Sequence, residues 1–575
     1  MTTVSDPAAH AVTVDQVVQY LDGPFAGLAR GVADGQYTFW LGSGISYGRV
    51  DGLRPLVEQV LEKLRVAASA SDTPNRYYAA LEKVLKIVGD AAGLLPRLRT
   101  PVCEWENVDS LLTSLVQNYA KVLDVQVEGE EEDYILWDLV DVRGTYGNPT
   151  IEPDVEHLSL AMLSLEGHLP QVVSANWDGL IEMAFDGLDP SNARSSLAVC
   201  VVKSELRRSS TSATRLLKFH GCAILAVQDE AVYRKMLVHR ASQIARYRLD
   251  NDHKAMRMEL VSLTNTTRTL MIGLSAQDFD IQDIFAESAN SGYAGWPSEP
   301  PMYVFAEDGL GADQEAILKN VYGQSYSANS REIEERSLIR SYAKQLLVGL
   351  LLHTYGSKIK TLCLLHDSAK MAKFEDTISL GIDYLRDEVV KSASTNLLEF
   401  LHLLAASISR ILGIFRTGKA DFNFTVYEPI SVTPNAALRA DPNMQGSGLV
   451  ELSIALGLLG SSAVKGHCDL IAGSNSVAVI LQSKVAKPNN GTGLVMVANG
   501  RAAVQLEASG GLEHELGALV VIQSDTPAER QPRSPRSAPG RTGLASVSHF
   551  GMGDLIDDAD DTDSLFARFR EEVGF

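Results

Sequence analysis

Four short stretches of this sequence carry residue types that could line one ligand crevice. "LGSGIS" sets Gly42 and Gly44 directly after the apolar run "YTFWL", Tyr37 to Leu41. Glycine lets backbone approach a ligand closely, and amides at such a turn can face phosphate oxygens. "SANWDG" holds Asn176 and Asp178, an amide and a carboxylate on either side of Trp177. "LKFHG" ends on His220, whose imidazole titrates near neutral pH and suits general-base work. "GLSAQDFD" supplies Gly273 and Ser275.

Each stretch also has a plain structural reading. "LGSGIS" lacks the third glycine of the dinucleotide fingerprint, because Tyr47 stands there and Gly48 comes one later; an ordinary tight turn fits it as well. Asn176 and Asp178 are favoured helix caps, His220 can be a packed strand-end histidine, and Asp278 can cap a helix. What joins the four is position, since each follows a short apolar run. Repeated strand, polar tip and helix is the signature of an open parallel sheet, whose ligands bind at the carboxyl ends of the strands.

The elements that must position these residues follow from periodicity. A helix over Val14 to Leu28 leads into the first strand, and "QVVSANWDG", "LLKFHG", "TLMIGLSAQD" and "MYVFAEDG" give later ones. In "ENVDSLLTSLVQNYAKVL", Val108, Leu111, Leu112, Leu115, Tyr119 and Val122 recur at helical spacing, inside a mostly helical stretch over about 55–165. Beyond Ser330 come long helices, "REIEERSLIRSYAKQLLVGLLLH" and "TNLLEFLHLLAASISRILGIF", then strands in "FNFTVYE", "SVAVILQSKVA" and "ELGALVVIQSD". The expected fold is α/β: a Rossmann-like parallel sheet with a helical insertion over residues 1–330, followed by a helical plus α/β C-terminal domain over 331–523. Residues 524–550, rich in Pro, Ser, Gly and Arg, read as a flexible linker, and 551–575 as an acidic amphipathic tail.

Composition narrows the partners. A formal net charge of -21 over 575 residues repels phosphate backbones, so autonomous nucleic-acid binding is not expected, whereas a metabolite at a local site is compatible with it. The five cysteines, Cys103, Cys200, Cys222, Cys363 and Cys468, form no C-x-x-C pair, so neither a disulfide framework nor a zinc site is expected. The N-terminal stretch lacks a basic segment and a continuous apolar core, and no run reaches the roughly 20 apolar residues of a membrane span. A cytoplasmic protein with no membrane partner is the expectation.

In their order along the chain the four motifs resemble the sirtuin family, with its Gly-Ala-Gly-Ile-Ser loop, Gln-Asn-x-Asp-Gly turn, His-Gly after a strand and late Gly-Thr-Ser. Here these are Gly42-Ser43-Gly44-Ile45-Ser46, Ala175-Asn176-Trp177-Asp178-Gly179, His220-Gly221 and Gly273-Leu274-Ser275. The likeness spans roughly residues 30 to 310. The two C-x-x-C pairs of the sirtuin zinc ribbon are missing, and Ala175 replaces the usual glutamine. This divergent pattern, with "IEPDVEHLSLAML" before "NWDGLIEMAF" and "MIGLSAQDFDI" after it, is similar to the sirtuin-like domains of bacterial antiphage defence proteins.

The resemblance implies NAD+ as substrate and its hydrolysis to nicotinamide and ADP-ribose, as an effector of abortive infection, with no zinc. Asn176 would hold the ribose or the attacking water, Asp178 the nicotinamide carboxamide, and His220 would act as general base or orient the ribose hydroxyls. Gly42, Ser43, Gly44 and Ser46 would cradle the pyrophosphate, with Gly273 and Ser275 beside the adenosine-side phosphate or ribose. Arg54 lies one residue early of a family arginine. A toxic activity needs gating, so the C-terminal half, faintly like a GAF-type sensor, would drive homo-oligomerisation or dock a translocase-type ATPase or an Argonaute-like partner. The competing readings are an NAD+ or ADP-ribose sensor without hydrolysis, and residual protein deacylation or ADP-ribosylation.

Overall fold

The computed structural model describes residues 7–574 apart from 71–73, 91–93, 191–192, 209–212, 290–294, 367–370, 394–395, 420–425, 445, 473–478, 485–490, 510–517 and 528–545. The chain forms two compact units. The first comprises Met1–Thr13, Gln36–Ser164 and Leu169–Val348; the second comprises Val14–Gly35, Leu165–His168 and Gly349–Phe575.

The first unit is built on β1 (Tyr37–Leu41), β2 (Gln171–Ser174), β3 (Leu197–Cys200), β4 (Thr214–Lys218), β5 (Arg268–Ile272), β6 (Tyr303–Ala306) and β7 (Leu338–Ile339). They form one seven-stranded sheet in the order β3-β4-β2-β1-β5-β6-β7, and every pairing is parallel. Every residue of β1 is buried, as befits a strand covered by helices on both faces. The chain runs from β4 on one side of β1 to β5 on the other, which makes the carboxyl ends of the central strands a topological switch point. The expected Rossmann-like sheet is present.

Between β1 and β2 lie the expected helices, among them Leu53–Ala68, Arg76–Lys86, Val108–Val116, Tyr119–Leu123 and Val155–Leu165. Leu61, Leu64, Leu81, Leu85, Leu112 and Trp137 share their core. The helix expected across Val108 to Val122 breaks at Asn118, whose backbone leaves the helical region and whose side chain donates back to the Ser114 carbonyl at 3.0 Å.

Three expectations about the rest need correction. The first unit reaches past 330, because "REIEERSLIRSYAKQLL" is not one helix: the helix Gln324–Ser337 stops, β7 joins the sheet beside β6, and a new helix starts at Ala343. The N-terminal helices Val14–Asp22 and Ala26–Ala33 belong to the second unit, where Asp22 accepts from Arg386 at 2.7 Å. The C-terminal segment, expected as an acidic amphipathic tail, carries its amphipathic helix but packs into the core of the second unit. Its helices Met552–Asp557 and Thr562–Val573 bury Leu555, Ile556, Leu565, Phe566 and Phe569 in one core with Ile454 and Leu458.

The second unit carries β8 (Cys468–Ala472), β9 (Val479–Ser483), β10 (Thr492–Val497), β11 (Ala518–Gln523) and β12 (Ser546–Gly551) in the order β12-β11-β10-β9-β8. β10, β11 and β12 run parallel, while β8 and β9 are antiparallel. β12 takes up the end of the expected linker, whose central part, 528–545, lies outside the described residues. The "FNFTVYE" strand is absent over its described residues 426–428, where Tyr427 instead donates to Glu166 at 2.7 Å. Among the described residues Leu397–Thr417 is the one helix long and apolar enough to cross a membrane by length and composition, and it buries Phe400, Leu401, Leu412 and Phe415 inside this unit.

Candidate active site

The residues after β1 and β2 form one hydrogen-bonded cluster. Ser46, closing the turn Ser43–Ser46, donates its hydroxyl to Asp178 Oδ2 at 3.0 Å and accepts from Asn176 Nδ2 at 3.2 Å. His157 Nε2 lies 3.2 Å from the same hydroxyl. The Asp154 amide donates to His157 Nδ1 at 3.1 Å, so the imidazole proton sits on Nε2 and points at Ser46. Gly179 is the N-cap of the helix Leu180–Leu188, and Asp178, one residue earlier, accepts from the amide of its first residue, Leu180, at 3.2 Å, so Asp178 helps to start that helix beside any other role. Lys218 at the end of β4 is buried; it donates to the Asp178 carbonyl and pairs with Glu182 at 2.9 Å, which ties the turn to that helix.

A second cluster forms on His220. Its Nε2 lies 2.8 Å from Asp280 Oδ2, both side chains being buried. The Tyr119 hydroxyl donates its one proton to the Asp278 carboxylate, 3.0 and 2.9 Å from its two oxygens. β4 and β5 are separated by β2 and β1, about 14 Å at the usual inter-strand spacing. The His220–Asp280 bond therefore joins segments that follow β4 and β5, the strands on either side of β2 and β1.

Burial alone would lower the His220 pKa. The Asp280 carboxylate, with Asp278 behind it, outweighs that and raises it above the ordinary 6.5. Burial also raises the Asp278 carboxyl, against the pull of His220. His157 goes the other way: burial drives it to about 4 against the attraction of Asp178 and Asp154, so it is neutral and acts as a donor.

The glycines hold the two central loops together. A Cβ on Gly42 would lie 2.3 Å from the Gly273 carbonyl oxygen, and one on Gly44 would lie 2.6 Å from the Gly273 Cα. The Gly42 amide donates to Ile272 O and the Gly44 amide to Gly273 O, each at 3.1 Å. These two amides are thus taken by β5 and do not face a phosphate, and the Ser46 hydroxyl already has its full set of partners. Of the expected cradle, Ser43 and Gly44 are exposed at the turn, as is Ser275 after β5. Arg54 does not join the site; it pairs with Asp109, and both side chains are solvent-exposed.

Among the described residues, one group of His and carboxylate side chains is close enough to hold a metal ion, His220 with Asp278 and Asp280, and no cysteine belongs to it. A direct hydrogen bond already joins the histidine to Asp280, which fits a charge-paired dyad as well as a ligand set. Sequence reasoning missed Asp280, Tyr119 and His157 as site residues. "DVEHL" and "AQDFD" contained the signal, but a histidine and an aspartate in the first turn of a helix look like ordinary helix-start residues.

A doubly wound parallel sheet with a glycine turn after its first strand and polar side chains after its central strands is the architecture of Rossmann-like α/β domains, which bind ligands at that switch point. Residues 170–326, within the first unit, match the model of the SIR2-like domain family, whose members are NAD-linked. The matched span holds Asn176, Asp178, His220, Gly273 and Asp280; the Gly42–Ser46 turn lies before it and is joined to it by the contacts above. Comparison with curated proteins gives no match.

His157 has a neighbour of opposite behaviour. Glu156 is buried, its Oε2 has no hydrogen-bond partner, and burial raises its pKa to about 7. The folded state resists protonating His157, so stability falls as pH drops from 6.5 towards 4. It also resists ionising Glu156, so stability falls as pH rises from 4.5 towards 7. The two slopes oppose each other in one window. Glu156→Gln should leave the His157 dependence unopposed, so that stability climbs by on the order of 3 kcal/mol between pH 4 and 6.5 relative to wild type. Urea unfolding at stepped pH checks this, and identical pH profiles for the two proteins would refute it.

Proposed function

We propose that the first unit hydrolyses NAD+ to nicotinamide and ADP-ribose. The observation that supports this most directly is the His220–Asp280 dyad, formed between the segments after β4 and β5, the strands that flank the two whose ends carry the Asn176–Ser46–Asp178 network. Cleaving the nicotinamide–ribose bond builds positive charge at the anomeric carbon, so the site must hold the leaving group, stabilise an oxocarbenium-like state and deprotonate water. In this reading Asn176 orients the ribose and the water, Asp178 accepts from the nicotinamide amide, and His220 takes the proton. Water attacks the anomeric carbon as the C–N bond breaks, and its proton leaves through the imidazole.

Such an activity depletes a central cofactor, which suits an effector of antiphage defence by abortive infection. The second unit then serves as its gate, through homo-oligomerisation or a defence partner such as a translocase-type ATPase or an Argonaute-like protein. The chief competing reading is a sensor that binds NAD+ without cleaving it.

Nicotinamide release from NAD+ by the purified chain, alone and with the products of neighbouring genes, separates the two; NAD+ binding with no nicotinamide under every condition would favour the sensor. The pH profile tests the dyad. A general base must be unprotonated, so turnover should rise as pH climbs through the raised His220 pKa. Asp280→Asn removes the carboxylate and leaves burial in charge, so the acid limb should move to lower pH while the plateau rate falls. A limb that stays in place or moves up would exclude the dyad from the mechanism.

A further inference from the structure

The second unit has its own parallel strand ends, and they carry a ligand-shaped arrangement that the proposed NAD+ chemistry does not use. Two helix N-termini converge on the carboxyl ends of β10 and β11. The helix Leu449–Val464 begins after Gly446-Ser447-Gly448, with Gly446 and Gly448 at φ +68° and +78°. A Cβ on Gly448 would stand 2.9 Å from the Ala498 carbonyl oxygen and 3.0 Å from Ser524 Oγ. The helix Gly500–Ala508 begins directly after β10, capped by the Asn499 side chain, which accepts from the Ala502 amide at 3.0 Å. Arg501 lies exposed in its first turn. Both helix starts turn positive dipole ends toward the same place, where the Leu449 amide donates to Ser447 Oγ at 3.2 Å and the Ala502 amide to Asn499, so the remaining first-turn amides are the ones left for a ligand.

The independent sign of a ligand is Gln523, the last residue of β11. It is 4% exposed, yet its Oε1 has no hydrogen-bond partner. The other side of its amide is fixed: Nε2 lies 2.9 Å from His549 Nδ1, while His549 Nε2 lies 3.1 Å from Glu507. A histidine donating to Glu507 accepts from Gln523, which leaves Oε1 as the orphan. That oxygen is aimed at the start of the second helix, 3.4 Å from where a Cβ on Gly500 would stand. A buried acceptor left without a donor costs on the order of 1–3 kcal/mol, so something with an N–H or O–H is wanted there. Gly446 is exposed and Ser447, Asn499, Gly500 and Ser524 are half-buried, so the place is open to solvent. The exposed carboxylates Asp525 and Asp554 stand towards β12 and the half-buried Glu451 lies in the first turn of the helix Leu449–Val464, which puts the anion-seeking end on the β10 side, nearest Arg501.

We propose that this second crevice binds a nucleoside phosphate, its phosphate at the two helix starts and a hydroxyl or amino group on Gln523 Oε1. An anion alone would satisfy the helix ends and leave Gln523 unpaired, whereas a neutral nucleoside would do the reverse. The site lies wholly within the second unit and does not depend on NAD+ hydrolysis in the first.

The test uses the full chain with AMP, adenosine and inorganic phosphate as probes. AMP in hundredfold excess over its Kd should raise the melting temperature by a few degrees, and neither adenosine nor phosphate alone should match it. Gln523→Glu, which sets a negative charge beside the phosphate, and Gly500→Val, which fills the space before Oε1, should each abolish the AMP shift. Photolabelling of the unaltered chain with an azido derivative of AMP gives a readout that does not depend on either variant folding, and label is expected in peptides containing Gly446–Leu449, Asn499–Ala502 or Gln523–Thr526. Label confined to the first unit, an AMP shift equal to that of phosphate, or no AMP effect at millimolar concentration would each overturn the proposal.

Discussion

Asn176→Ala is expected to lower NAD+ turnover about a hundredfold or more, the usual cost of losing one preorganised dipole at a developing charge. The loss should appear in kcat rather than in folding. Asn176 makes one side-chain hydrogen bond, to Ser46 Oγ, and that hydroxyl keeps Asp178 and His157 as partners, so stability should fall by only about 1 kcal/mol. Asn176→Asp should fare no better, because a carboxylate cannot donate to Ser46 and would stand beside the Asp178 charge. Nicotinamide release measured in single turnovers, with a melting curve on the same preparation, checks both statements. Full activity in the alanine variant would remove Asn176 from the chemistry and leave "NWD" as a helix-starting turn alone.

The second large effect concerns stability. Lys358 and Glu166 form a fully buried ion pair at 2.9 Å in the second unit. Lys358 also donates to the Ser431 carbonyl at 2.7 Å, while Glu166 Oε1 accepts from the Tyr427 hydroxyl at 2.7 Å and the Ile430 amide at 2.9 Å. Burial outweighs the pull of Glu166 and lowers the Lys358 pKa. Lys358→Met strands the carboxylate and should destabilise the chain by about 3–5 kcal/mol. Replacing both, with Glu166→Leu added, should recover only part of this, because Tyr427 and Ile430 then lose their acceptor. Denaturant unfolding followed by circular dichroism reads both variants; a change below about 1 kcal/mol for Lys358→Met would show that water or a neighbour relieves the charge.

What the sequence disclosed followed its physical contrasts. β1, β2, β4, β5 and β6 each stood out because a buried parallel strand is an unbroken apolar run and its carboxyl end turns abruptly polar. β3, "LAVC", lies in the apolar run Leu197–Val202, but that run leads straight into the helix Lys203–Arg208 with no glycine or polar tip to mark a strand end. β7 is two residues long inside a helical pattern and exists only because β6 offers it an edge. The site was legible where it lay on turns and illegible where it lay on helices. Asn176, Asp178 and His220 interrupt apolar runs, whereas His157 and Asp280 occupy helix positions where polar residues are ordinary. Ser46 was legible as a site residue but not in its role: only the fold shows that its hydroxyl faces Asp178, Asn176 and His157 rather than outward. In the second unit, the buried stripe Leu565, Phe566, Phe569 and Val573 was outweighed on paper by the acidic run before it, and tertiary packing decided otherwise.

The backbone contact between Gly42, Gly44 and Gly273 makes two motifs, some 230 residues apart in sequence, a single physical character. Each glycine's missing side chain is the space the other loop occupies, so neither turn can be varied while the other is held fixed. A methyl group on either side would pry open the same seam, and once it is open a second methyl meets little further resistance. "GSGIS" and "GLS" therefore change together or not at all, and chains that keep one while losing the other should be read as having lost this seam.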